Sequence, residues 1–172
     1  DQIQRIIQLG VEKVAISSGI FENPSLISES VEMVGSQSIV AVLDIARFGI
    51  LKKWEIVTYN AKQRTGLDPY LYAKELEQKG VGEIIFNSIE KDGTMLGYDL
   101  ELAKRMKPLL NIPITFLGGA GSLDDIKELW NNLGIVGASA GSLFVFKGKF
   151  KAVLINYPSE IEMENMYPEM SF

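Results

Sequence analysis

Two segments near the C-terminus join an apolar run to a cluster of small residues, which is what a chain needs to hold an anion on its backbone. Ile114-Thr115-Phe116-Leu117 runs into Gly118-Gly119-Ala120-Gly121-Ser122, and a helical pattern follows from Leu123 to Leu133. Gly134-Ile135-Val136-Gly137-Ala138-Ser139-Ala140-Gly141-Ser142 repeats the device. Each reads as a buried strand that turns over small residues into a helix N-terminus, where bare N–H groups and the helix dipole favour negative charge. The spacing predicts phosphate contacts from Gly118, Gly119, Gly121 and Gly141 through backbone N–H, and from Ser142 through its hydroxyl. Two carboxylates complete the candidates. Asp44 ends the apolar run from Ser38 to Leu43, so a partly desolvated acid there can work as general acid or base near neutral pH. Asp92 lies in Lys91-Asp92-Gly93-Thr94, a sound β-turn sequence as well as a site for a ligand-facing carboxylate.

The 172 residues contain no histidine and no cysteine, so acid–base work falls to Asp, Glu, Lys or Tyr, and thiolate and disulfide chemistry are excluded. No metal or cofactor is expected. The net charge of −5 argues against a nucleic-acid surface. The apolar runs are too short to span a membrane, and the composition, 47% hydrophobic and 23% charged, fits a cytoplasmic α/β enzyme.

The elements that must position these residues alternate. Gln2–Leu9 has one apolar helical face and stops at Gly10. Lys13–Ile16 reads as a short strand ending in the turn Ser17-Ser18-Gly19, and Asn23-Pro24 as the cap of a helix to Val34. Ser38–Leu43 is a strand buried on both faces. Residues 45–66 interrupt the rhythm, and the alternation in Trp54–Tyr59 predicts a hairpin-like excursion. Asp68-Pro69 caps a helix to Lys79, Glu83–Phe86 is a strand, and 99–109 a helix. Residues 158–172 form an acidic tail expected to pack loosely. Five strands alternating with helices predict a parallel sheet with right-handed crossovers, either a complete open sheet or part of a (β/α)₈ TIM barrel. The paired glycine turns favour the barrel. A closed barrel takes about 250 residues, so the expectation is a partial barrel of five βα units over 1–157, lacking the first three strands.

These residues resemble the cyclase subunit of imidazole glycerol phosphate synthase, the HisF family. The matching pieces are Val11-Glu12-Lys13-Val14, Glu22 to Ile27, Gly35-Ser36-Gln37, Val42-Leu43-Asp44, Gly82 to Ile85, Asp92-Gly93-Thr94, Gly97-Tyr98-Asp99 and Gly118 to Gly121. They run in order over about residues 1–155. The resemblance implies a barrel that takes ammonia from a glutaminase partner and closes the imidazole ring of a phosphorylated ribonucleotide in histidine biosynthesis. It implies that Asp44 is one of two catalytic aspartates, the other lying on a first strand outside this chain. It implies substrate contacts from Ser17, Ser18, Asn60, Asn87, Asp92 and Thr94 beside the glycine turns. Glu12, Lys13, Gln37 and Glu83 then fall at the opposite mouth, as the ammonia entrance and partner face.

Four positions depart from the family pattern. Asn60 and Leu117 stand where serines are usual, Asn87 replaces a threonine and Glu90 an aspartate. The ending, Ala140 to Gly148 with Ala152 to Pro158, looks more like HisF-like paralogues found with surface-sugar amidation enzymes. That resemblance implies an alternative role: delivering ammonia to the amidation of a nucleotide-sugar without catalysing cyclisation.

Overall fold

The computed structural model describes residues 2–148 and 150–166. Five parallel strands form its centre: β1 (Val14–Ile16), β2 (Ile39–Phe48), β5 (Glu83–Ser88), β6 (Ile114–Leu117) and β7 (Gly137–Ala138). Each is hydrogen-bonded to the strand before and after it in that order. Successive units therefore add to the same edge. With right-handed crossovers, that order puts every helix on one face of the sheet, as in a barrel; a doubly wound sheet reverses its strand order partway. The sheet is a partial (β/α)₈ barrel. Among the described residues it is open, with β1 and β7 at its two ends.

Side-chain alternation divides the two faces. Ile39, Ala41, Leu43 and Ile45 of β2, with Ile84 and Phe86 of β5 and Ile114 and Phe116 of β6, are buried under the helices. Phe86 and Phe116 stack with centroids 5.8 Å apart. The helices covering them include α3 (Leu26–Val34), α4 (Pro69–Gln78), α5 (Leu100–Met106) and α6 (Leu123–Leu133), which contribute Ile27, Leu76, Leu102 and Leu129 to the same core. The opposite face carries Val42, Asp44, Ile85, Asn87, Thr115 and Leu117, which are the barrel-interior positions.

The expected excursion exists, and it lengthens β2 beyond the strand predicted from Ser38 to Leu43. Residues 39–41 pair with β1; from Asp44 to Phe48 the same edge pairs antiparallel with β3 (Lys53–Thr58), against which the chain folds back as the short antiparallel strand β4 (Gln63–Arg64). Arg47 anchors this hairpin. Its guanidinium donates twice to Asp99, at 2.8 and 3.0 Å, and lies 5.2 Å from the Trp54 ring. Asp99 also caps α5 by accepting from the Leu102 N–H. One buried carboxylate thus joins hairpin, helix and sheet.

Two local expectations are corrected. Asn23 does not cap the helix. It closes a separate short helix, α2 (Gly19–Glu22), and its Oδ1 accepts from Ser25, the residue before α3. The helix from 99 ends at Met106 and tightens into a 3₁₀ turn, Lys107–Leu109, because Pro108 has no N–H to continue it. Within the expected tail, Ser159 and Glu162 form a capping box at the start of a short helix, Glu160–Glu164, and Met166 is buried in the core; residues 167–172 lie outside the described ones. No described helix is long and apolar enough to cross a membrane.

Candidate functional site

Parallel order brings every strand-to-helix turn to one edge. Ser17 and Ser18 follow β1, Asp44 stands within β2 where its parallel pairing gives way to the hairpin, Asn87 stands near the end of β5, and the glycine turns follow β6 and β7. The register sets Asp44 beside Asn87, and Asn87 beside Leu117. Asn87 Nδ2 donates to Asp44 Oδ1 at 2.8 Å. Burial pushes the Asp44 carboxyl above its ordinary value; the Asn87 hydrogen bond lowers it, the nearby charge of Asp92 raises it further, and the net direction is up.

The two glycine turns do converge. Gly118, Gly119, Gly141 and Ser142 line one cleft with Asp92 and Leu117, and as it stands the cleft has room for about one water molecule. Gly118 and Gly119 are left-handed, at φ +99° and +105°. The Gly119 carbonyl accepts from Gly97 N–H at 2.8 Å, and this bond docks the Asp92 loop against the turn. Tyr98, in the same loop, donates from its hydroxyl to the Ser139 carbonyl at 2.9 Å, bridging to the second turn. Sequence reading missed this tie, since nothing in a lone tyrosine announces it.

Some expected ligand groups are already engaged. The N–H groups of Gly121 and Ser122 both donate to Asp125 Oδ2 at 2.8 Å, and Ser122 accepts from Asp125 N–H in return. Gly121 therefore does not offer its N–H to an anion. This capping box was legible in the spacing Ser122-x-x-Asp125. Thr94 donates to the Lys91 carbonyl at 2.7 Å, a bond inside its own loop. Ser18 Oγ accepts from Tyr59 N–H at 3.1 Å. The Tyr59 hydroxyl is bonded to Glu22. These two contacts lay the hairpin tip over the end of β1. Exposed Asn60 sits in that tip, between Tyr59 and Ala61, in three successive left-handed residues at φ 54–63°. Strain of this kind needs support, and the Ser18 and Glu22 contacts supply it.

At the opposite edge Lys13 Nζ lies 2.6 Å from Glu83 Oε2, and Thr115 donates to Glu83 Oε1 at 2.6 Å. Burial would raise Glu83, but these two hydrogen bonds and the Lys13 charge outweigh it and hold its pKa below the ordinary value. Glu12 and Gln37 are exposed on the same edge.

A sequentially wound parallel sheet with carboxylate, carboxamide and small-residue turns at its C-terminal edge has the layout of part of a (β/α)₈ barrel, whose ligand sites lie at that edge. The chain matches the histidine biosynthesis protein family over residues 1–151, and it belongs to that family. A Leptospira borgpetersenii relative, provisionally named imidazole glycerol phosphate synthase subunit HisF, is 48% identical over 168 residues, covering 98% of this chain and 66% of its own. A provisionally named HisF subunit of Vibrio vulnificus is 48% identical over 94% of this chain and 62% of its own. The imidazole glycerol phosphate synthase subunit HisF of Alkaliphilus metalliredigens is 37% identical over 84% of this chain and 57% of its own. The chain thus spans about two thirds of the length of the curated relatives it matches most fully.

Proposed function

We propose that this chain carries the reaction edge of a cytoplasmic, cyclase-type subunit that uses ammonia from a glutaminase to close the imidazole ring of a phosphorylated ribonucleotide. The observation that carries the reading is Asp44: a half-buried carboxylate where β2 turns from its parallel pairing into the hairpin, held by Asn87, which itself reaches the first glycine turn. Burial raises its pKa in the direction a general acid or base needs, and the turns offer Gly119, Gly141 and Ser142 to a phosphate. Ammonia enters at the opposite edge, where Lys13 and Glu83 sit and the glutaminase docks.

One observation favours the second reading, an ammonia-delivering subunit for nucleotide-sugar amidation. Leu117 places an aliphatic side chain in the narrow cleft between the turns, and a phosphate must displace it to enter.

Titration with inorganic phosphate, followed by backbone amide NMR, tests the anion site. Saturable shifts at Gly119, Gly141 and Ser142 are expected, and Leu117→Ser should strengthen them several-fold. Shifts confined to other parts of the chain would remove the phosphate from this corner. For the partner face, reversing charge at both Lys13 and Glu83 keeps opposite charges facing each other within the chain but inverts the sign that each presents to a partner. Glutaminase affinity measured by calorimetry should fall about tenfold or more, because rim charges steer docking and unpaired partner charges weaken it. Undiminished affinity in the double variant would move the docking face elsewhere.

A further inference from the structure

Asn87 occupies the middle of a row across three strands, with Asp44 on one side and Leu117 on the other. Its residue is 8% exposed, and its Oδ1 is buried without a hydrogen-bond partner. The amide has one tolerable orientation. Turned the other way, its oxygen would face the Asp44 carboxylate, two acceptors in contact. With Nδ2 donating to Asp44, Oδ1 is directed at the first glycine turn: a Cβ added to Gly118 would lie 3.2 Å from it. Gly118 has a φ of +99°, and a Cβ there would meet the Ser88 carbonyl oxygen first, at 2.6 Å, and then crowd the carboxamide. A buried carbonyl oxygen without a partner is costly, so the Nδ2 bond to Asp44 and the packing around the amide together hold this arrangement in place.

We propose that Asn87 is a positioning residue for Asp44: wedged against Gly118, it grips Asp44 Oδ1 and leaves Oδ2 as the oxygen presented to a ligand at the strand-end site. The proposal rests on the reading of Asp44 as the acid–base group and adds the device that aims it. The other groups bearing on Asp44 do not do this. Val57, opposite on β3, and Leu117, one strand further on, are apolar. Asp92 is exposed and acts on Asp44 by charge, without a hydrogen bond to it among the described residues.

Carbon-13 and nitrogen-15 NMR of the purified protein tests the grip without any turnover. In the wild-type chain the bonded Asn87 Nδ2–H resonance should titrate with the same midpoint as the Asp44 carboxyl carbon, because protonating Asp44 weakens the acceptor. Asn87→Leu keeps the bulk and removes the donor, so the Asp44 midpoint should rise by about one pH unit, a tenfold weaker acid. Asn87→Thr restores a hydroxyl donor and should recover most of that change. An unmoved midpoint in Asn87→Leu, or an equal rise in both variants, overturns the proposal. Should Asn87→Leu fail to fold, the wild-type coupling decides alone, and separate midpoints for the two groups overturn it. Failure of the catalytic reading would leave these titrations unchanged, so the two claims fail separately.

Discussion

Gly119→Ala is expected to cost this protein about 3 kcal/mol or more, well above an ordinary surface substitution. Two causes add. The residue sits at φ +105°, where a Cβ is strained. The new methyl would also overlap the Gly97 carbonyl oxygen. That oxygen cannot swing aside like a side chain, because Gly97 also donates its N–H to the Gly119 carbonyl at 2.8 Å. Either the glycine turn or the Asp92 loop must therefore move. Thermal unfolding should show a loss of about 6–12 °C for a chain of this size. The Tyr98–Ser139 bond hangs from the same loop, so hydrogen exchange should rise at Ser139 in concert with Gly97. Gly141→Ala is the control: a methyl there meets nothing within 4 Å, and φ is negative, so its stability should stay within about 0.5 kcal/mol of the parent. If Gly119→Ala melts like Gly141→Ala, the two turns are not distinguished by packing as described.

That contrast shows where sequence reading succeeds and where it stops. Both glycine turns were visible as small residues after apolar runs, because buried parallel strands and helix starts leave local signatures. Which turn is packed against another loop, and which is open, depends on Gly97 and Tyr98, residues brought close only by the fold. The same holds at Asp44. The apolar strand leading to it was legible from Ser38–Leu43, and the hairpin from the alternation in Trp54–Tyr59, but the strand does not end at Asp44: it runs on to Phe48 as one arm of that hairpin. The change of partner along β2, from β1 to β3 on one edge, was not legible, since both halves of the strand are extended and nothing in their residue types names the neighbouring strand. Gly121 was read as a phosphate ligand because its N–H was assumed free; Asp125, four residues on, had already claimed it. Asn87 was expected at the site through resemblance alone. Its role as the partner of Asp44 follows from strand register, which no single-strand pattern reveals.

Asp44→Asn should abolish ring closure if the cyclase reading holds. Asparagine matches aspartate in size, and its Oδ1 can still accept the Asn87 N–H, so the strand end keeps its shape while losing its titrating group. A positioned general acid or base is worth about 10²–10⁴-fold in rate. In a full-length protein carrying this segment, assayed with ammonium and the phosphorylated ribonucleotide, kcat should fall about 10³-fold with KM little changed. The pH profile supplies the sign. Burial and the Asp92 charge raise the Asp44 pKa, with Asn87 opposing them. With Asp44 acting as the base, the acidic limb of the rate profile therefore lies above the ordinary aspartate value and disappears in Asp44→Asn. Asp92→Asn removes one of the two raising influences, so that limb should move to lower pH while turnover persists. Retention of more than a tenth of wild-type kcat in Asp44→Asn, with the acidic limb intact, would assign the acid–base work to another group. In that event Leu117 and the narrow cleft point to a chain that hands ammonia onward.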